Sequence, residues 1–284
     1  MSLTATSSQG FTITDEDFKL FCQFLEEGCG IVLASHKQYL VQSRLSKIMA
    51  ETSCGSLREL VTRLKGHAEF GLKERVIDAM TTNETLWFRD IHPFQIFQSQ
   101  ILPEHASKGV TRLRIWSAAC SSGQEPYSLN MVFDEYKKAN PGSSLAGLDI
   151  VATDISSEIL AQAKSGTYEP LAIGRGLSPE RQAAYFDELP DGRWQIKREM
   201  KANINFQSFN LMGSFQAMGQ FDVIFCRNVL IYFSADKKRE IITKLHKQLK
   251  PNGYLFLGAS ESMSGLGDLF EMVHCRPGIL YKAI

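Results

Sequence analysis

The stretch richest in chemistry runs from Ile115 to Ser128, IWSAACSSGQEPYS. An apolar run (Leu113, Ile115, Trp116) gives way to small residues and then to Pro126. A proline suits the first turn of a helix, because its φ is fixed and its missing N–H is not needed there. Small residues let a ligand approach the main chain, and the helix start leaves N–H groups without partners. Strand, tight loop and helix in this order open a nucleoside-binding site in a doubly wound α/β sheet. The loop has neither G-x-G-x-x-G nor a Walker lysine, so a pyrophosphate is not the expected guest. Glu125 puts negative charge where a phosphate binder would avoid it, which points to a cofactor carrying positive charge.

Two further strand ends carry polar residues. Ile150–Thr153 runs into Asp154, an acid that can accept hydrogen bonds from both hydroxyls of a ribose. The plainer alternative makes Asp154 the N-cap of the next helix. Phe221–Cys226 runs into Arg227 and Asn228, followed by Val229-Leu230-Ile231-Tyr232-Phe233. An arginine at an apolar strand end needs an acidic partner, since a buried unpaired charge is costly. That partner is either a ligand carboxylate or an internal acid such as Glu125 or Asp154. Upstream, Thr81–Asp90 interleaves Asn83, Thr85 and Arg89 with Leu86, Trp87 and Phe88. Such a segment suits a cover over a pocket; the alternative is a packed hinge with Arg89 in a surface pair.

These residues need a scaffold, and the pattern after about residue 110 supplies one. Strands are predicted at 113–117, 150–153, 221–226 and 253–257, with helices near 126–138, 156–164 and 235–249. Alternation of this kind implies a mainly parallel sheet. Residues 270–274 and 278–282 read as two antiparallel strands. Residues 171–206 interrupt the rhythm: a short helix at 179–186, a hairpin signal at Asp191-Gly192 flanked by Trp194 and Ile196, and a return strand near 203–206. They read as an inserted antiparallel β-subdomain.

Residues 11–80 read as a small all-helical domain and 81–110 as a linker covering the cofactor, leaving 111–284 for catalysis. Thr14 and Asp17 fit the first helix start, with Phe18, Phe21 and Leu25 at helical spacing and Gly28 and Gly30 at the end. A second helix covers 36–52 with Leu40, Leu45, Ile48 and Met49 inward. Ser56 and Glu59 form a capping box for the third, and a fourth spans about 71–80. Between His36 and Arg75 basic residues outnumber acidic ones by eight to four, either a solvated face or a docking surface for something acidic.

The totals exclude several classes. Over 284 residues the 31 basic and 31 acidic side chains cancel, so the whole molecule is not a polyanion binder. No apolar run reaches membrane-spanning length, and the polar stretch 1–10 lacks a signal-peptide core. Six scattered cysteines without C-x-x-C read as free cytosolic thiols, and no metal-ligand cluster is evident.

Taken in order, Asn83–Arg89, Ser117–Ser128, Ala152–Ile155, Asn210-Leu211, Phe225–Phe233, Leu249–Gly253 and Ser260-Glu261-Ser262 resemble the CheR-type chemotaxis receptor methyltransferases over about residues 11–284. The resemblance implies an S-adenosylmethionine-dependent methyltransferase fold, with S-adenosylhomocysteine as product and chemoreceptor glutamate side chains as methyl acceptors. Cofactor contacts then fall on Asn83, Thr85, Arg89, Glu125, Asp154, Asn210, Leu211, Arg227 and Asn228. Asp154 is expected on the ribose and Glu125 on the ligand's positive end, while Arg89 and Tyr232 orient the acceptor carboxylate. Lys37, Arg44 and Lys47, expected on one helix, would steer acidic receptor helices toward a monomeric cytoplasmic enzyme. Ala119 stands where family members commonly have Gly, and Gln124 where Glu is common. The loop Leu189–Arg193 is shorter than the Gly-rich loop of relatives that tether to a receptor's C-terminal pentapeptide, so no tether is expected. Three alternatives fit less well. A nucleic-acid amino-methyltransferase would carry an Asn/Asp-Pro-Pro-Tyr/Phe motif, where this chain has Asn228-Val-Leu-Ile-Tyr. A small-molecule O-methyltransferase is not favoured by the helical domain and insert. A non-catalytic module that only binds S-adenosylmethionine or S-adenosylhomocysteine would not need every polar strand-end residue.

Overall fold

The computed structural model describes residues 11, 13–66, 71–263, 265–276 and 278–284. The polar stretch 1–10, and Glu69 among the four acidic residues counted between His36 and Arg75, lie outside them. The chain divides into two compact units between Thr82 and Asn83.

Among its described residues the first unit holds four α-helices. In α1 (Asp15–Cys29) the Thr14 hydroxyl accepts the Asp17 N–H at 3.2 Å, and three acids in the first turn suit the helix dipole. Phe18, Phe21, Phe24 and Leu25 are buried, and Gly30 at φ 78° ends the helix. In α2 (Gln38–Glu51) the inward residue near the start is Val41, with Leu40 half-buried. Lys37 lies in the 3₁₀ turn Ser35–Lys37 before α2, so the three expected docking cations do not share one helix. In α3 (Leu57–Lys65) the Ser56 hydroxyl accepts the Glu59 N–H at 3.2 Å, but the Glu59 carboxylate reaches the N–H of Gly55 rather than that of Ser56. Arg44 is spent on α4 (Leu72–Met80): its guanidinium donates to the carbonyls of Met80 and Thr81 and to the Thr82 hydroxyl. Arg58, Arg63 and Arg75 each hold an acid, Asp17, Glu59 and Glu51. Much of the basic excess is therefore internal structure, and Lys47 remains as a largely exposed cation.

The second unit opens with a continuous helical run: α5 (His92–Ile96), a π turn (Phe97–Ile101) and α6 (Leu102–Ser107). The sequence reading assigned no helix there. Then follow β1 (Arg112–Ala118), α7 (Gln124–Ala139), β2 (Gly147–Asp154), α8 (Ser157–Ser165) and the insert. The insert contains β3 (Thr167–Tyr168), α9 (Pro170–Ile173), α10 (Pro179–Tyr185), β4 (Phe186–Glu188), β5 (Trp194–Ile196) and α11 (Arg198–Lys201). The main sheet resumes with β6 (Ile204–Ser208), β7 (Phe221–Cys226), α12 (Ala235–Gln248), β8 (Leu249–Leu257), β9 (Phe270–Cys275) and β10 (Gly278–Ala283).

The seven strands of the main sheet run in the order β6-β2-β1-β7-β8-β10-β9, the first five mutually parallel and β10 antiparallel to both its neighbours, β8 and β9. The doubly wound fold is thus as expected, with one correction. Residues 203–206 do not return to the insert's hairpin. They enter β6, which pairs parallel with β2, Ile150 opposite Ile204. The insert's own sheet, β3-β5-β4, is antiparallel and turns tightly at Leu189–Arg193, where the Leu189 N–H donates to the Arg193 carbonyl.

Alternation along β1 splits the core into two layers. Leu113 and Ile115 join one, with Tyr127, Ile150 and Phe225; Trp116 and Ala118 join the other, with Phe221, Ile224 and Leu255. Chain order reverses between β1 and β7, whose ends meet at Ala118 opposite Cys226. Among the described residues no helix is long and apolar enough to cross a membrane.

Candidate active site

Ligands of open α/β sheets bind beyond the carboxyl ends of the strands, where the strand order reverses. Here β1 delivers the loop Ala119–Gly123 to that place, β2 delivers Asp154 and β7 delivers Arg227 and Asn228. The loop is tightly bent: Ala119, Ser121 and Gly123 all have positive φ, at 61°, 51° and 93°. A Cβ on Gly123 would lie 3.1 Å from both Ala163 and Tyr127, so glycine is needed for packing as well as for the turn.

Asp154, 7% exposed, pins this loop. Its Oδ2 accepts the Ser121 N–H at 2.9 Å and its Oδ1 the Ser156 N–H at 3.0 Å. The N-cap of α8 is Ser156, whose hydroxyl accepts the Ile159 N–H; the capping alternative for Asp154 is therefore corrected. Ser121 also donates its hydroxyl to the Asn83 carbonyl at 2.7 Å, which ties the covering segment to the loop.

Arg227 has the internal partners that its position requires. Its side chain is 2% exposed, and its guanidinium donates to Glu125 Oε2 at 2.9 Å, Asp90 Oδ2 at 2.8 Å and the Arg89 carbonyl at 2.8 Å. Glu125 takes a second donor, the Ser117 hydroxyl, on Oε1 at 2.7 Å. A carboxylate offers about four lone-pair sites, so both oxygens keep capacity for a ligand cation. The sequence reading included Asp90 in the covering segment but gave it no role; its only signal was an acid beside Arg89.

The turn that carries Arg89 is strained. Phe88, Asp90 and Ile91 all have positive φ, and the His92 N–H donates to the Asp90 carbonyl across Ile91 at φ 53°, ψ −55°. This is the rare positive-φ form of the γ-turn, on a β-branched residue. Its neighbours hold it. Trp87 is fully buried, with ring contacts to Tyr168 at 4.9 Å and Phe186 at 5.2 Å, and its main-chain N–H donates to the Arg175 carbonyl. A Cβ on Gly176 would fall 2.1 Å from the Trp87 carbonyl oxygen. Arg89 itself is half-buried and donates to the Glu84 carbonyl at 3.1 Å.

The remaining expected residues are less tightly joined. Asn210 organises its own turn, its Oδ1 accepting the Met212 N–H, and Leu211 is a core residue of the second layer. Thr85 is half-buried. Tyr232, half-buried in the 3₁₀ turn Leu230–Tyr232, packs against that same layer.

Two thiols adjoin the site. Burial pushes both Cys120 and Cys226 well above the usual thiol range, reinforced at Cys120 by Asp154 and Glu125 and at Cys226 by Glu261 and Glu125. Neither is a thiolate at neutral pH, which argues against covalent catalysis through sulfur.

A nucleoside bearing a cationic amino-acid tail fits these residues. Arg227 Nε and Asn228 Oδ1 are buried without partners among the described residues, a donor and an acceptor beside the Glu125 carboxylate. Acids and buried polar atoms gathered in this way at the reversal point of a doubly wound sheet suit the class of proteins that bind a nucleoside cofactor carrying positive charge.

The comparisons narrow the class. The family model "CheR methyltransferase, SAM binding domain" matches residues 83–279, and "CheR methyltransferase, all-alpha domain" matches residues 16–81. The chain is 56% identical over 268 residues to chemotaxis protein methyltransferase 1 of Pseudomonas aeruginosa, covering 94% of this chain and 97% of that one. It is 53% identical over 268 residues to chemotaxis protein methyltransferase Cher2 of Pseudomonas putida, covering 94% and 98%. To the chemotaxis protein methyltransferase of Salmonella typhimurium it is 34% identical over 275 residues, covering 95% and 92%. The chain belongs to the CheR methyltransferase family, and its cofactor is S-adenosylmethionine.

Proposed function

We propose that this methyltransferase of chemotaxis esterifies glutamate side chains on the cytoplasmic methylation helices of chemoreceptors. The observation that carries the reading is the Glu125–Arg227–Asp90 network, which links the start of α7 to the turn bearing Arg89. When bound, S-adenosylmethionine supplies a methyl group on a positively charged sulfur. Glu125 takes its ammonium, Asp154 its ribose hydroxyls, and Asn210, Leu211, Arg227 and Asn228 shape the slots on either side. Asn83 and Thr85 cover it.

Arg89 and Tyr232 orient the acceptor, since an arginine fork matches a carboxylate and a phenol can donate to it. A glutamate is already ionised at neutral pH, so no general base is required. The acceptor carboxylate would face the positive charge that the cofactor supplies, and a water-poor site would favour their meeting. Most of the rate comes from alignment of the reacting atoms.

Lys37 and Lys47 remain the cations for steering acidic helices; Arg44 contributes through α4. The tight turn at Leu189–Arg193 supports recognition without a C-terminal peptide tether. The enzyme acts in the cytoplasm as a monomer in this reading.

The test is tritiated methyl transfer to chemoreceptor cytoplasmic fragments, made with and without a C-terminal pentapeptide. Base-labile methanol, equal for both sets, is expected. Base-stable label, or no label on any fragment, overturns the reading. Arg89→Ala should lower turnover far more than Tyr232→Phe, and normal turnover in Arg89→Ala removes it from the mechanism.

A further inference from the structure

Glu261 follows β8, outside every role assigned so far. Its carboxylate is filled by main-chain donors. Oε2 accepts the N–H of Asn228 at 2.8 Å and of Gly258 at 2.7 Å; Oε1 accepts that of Leu230 at 2.7 Å and, more weakly, Ile231 at 3.3 Å. Three of these donors belong to the segment after β7, and the fourth, Gly258, directly follows β8.

The backbone explains why they converge. Asn228 sits at φ 57°, and the 3₁₀ turn Leu230–Tyr232 begins two residues later. A positive-φ residue next to a turn aims successive N–H groups into one concavity that suits an anion. The first N–H groups of a helical turn also lack internal partners. Gly258 completes the socket: a Cβ there would lie 2.7 Å from Asn228 Nδ2 and 2.8 Å from Asn228 N.

We propose that Glu261 is a positioning residue for methyl transfer. It touches neither cofactor nor acceptor. It fixes the main chain of Asn228 and of the turn that presents Tyr232, and so sets where both side chains point. The proposal rests on the roles given to Asn228 and Tyr232 above.

Glu261→Gln tests it. The amide keeps the size of the side chain but turns an N–H donor toward main-chain donors. Its affinity for S-adenosylhomocysteine, measured by calorimetry, should fall about tenfold, the weight of roughly one hydrogen bond. Turnover should fall about 100-fold, as expected when reacting groups shift slightly, while KM for the receptor fragment stays near that of the unmutated enzyme. In Glu261→Ala, formate should restore part of the turnover; in Glu261→Gln, where the amide fills the space, it should not. General loss of structure would not give that contrast. Unchanged turnover and affinity in Glu261→Gln overturn the proposal, as does a Glu261→Ala defect that formate leaves untouched. If Glu261→Ala does not fold, the size-preserving Glu261→Gln decides alone. Failure of the unmutated chain to bind S-adenosylhomocysteine would strike the functional reading instead.

Discussion

Single residues carry both the chemistry and the strain of this site. Ala119 occupies a left-handed position at φ 61°. An L-residue there costs about 1–2 kcal/mol, partly offset by the smaller chain entropy lost by alanine. Ala119→Gly should therefore raise stability by up to about 1 kcal/mol, or about 2 °C in melting temperature for a chain of this size. Scanning calorimetry reads the shift, and cofactor affinity should be unchanged. A lower melting temperature would mean that the methyl group packs usefully. At this scale the sequence marked which residues were polar at strand ends, and desolvation alone required an acid for Arg227. Of the two internal acids it offered, Glu125 is the partner and Asp154 is not. That Asp90 is the second partner depends on a turn that no local pattern encodes.

At the scale of elements, the parallel strands were legible because buried strands are short apolar runs bounded by turn residues. Two elements were not. The helical run from His92 to Ser107 holds Pro93 and Pro103 and passes through a π turn, so its apolar spacing is broken. Edge strand β6 is half-exposed, and a short alternating strand fits a hairpin or a sheet edge equally well. The turn Phe88–Ile91 yields a prediction of its own. Ile91 is 61% exposed, so little packing opposes its replacement. Relief of its strain is worth about 1–3 kcal/mol, less the entropy that glycine loses on folding. Ile91→Gly should unfold at a denaturant concentration no lower than that of the parent. It should turn over more slowly, because Arg89 loses its fixed turn. Faster turnover would show that the strain hinders the reaction.

For the whole molecule, net charge is zero, yet cations such as Lys47 remain exposed on the helical unit. Surface charges are screened over about 8 Å at physiological ionic strength. Raising salt should therefore increase KM for the receptor fragment several-fold, in keeping with lost electrostatic steering. Affinity for S-adenosylhomocysteine, measured in the same buffers, should move much less, because the network around Glu125 is largely shielded from solvent. Equal salt dependence of the two would make the basic face a mere solvated surface. The inserted subdomain leaves a different mark. Gly176 has no role in binding or transfer, yet any side chain there would collide with the carbonyl just ahead of the Arg89 turn. A saturation library scored for swimming behaviour should find that position as intolerant as the catalytic ones, and a map of essential sites drawn from such scores alone would count a hinge of the scaffold among the reacting groups.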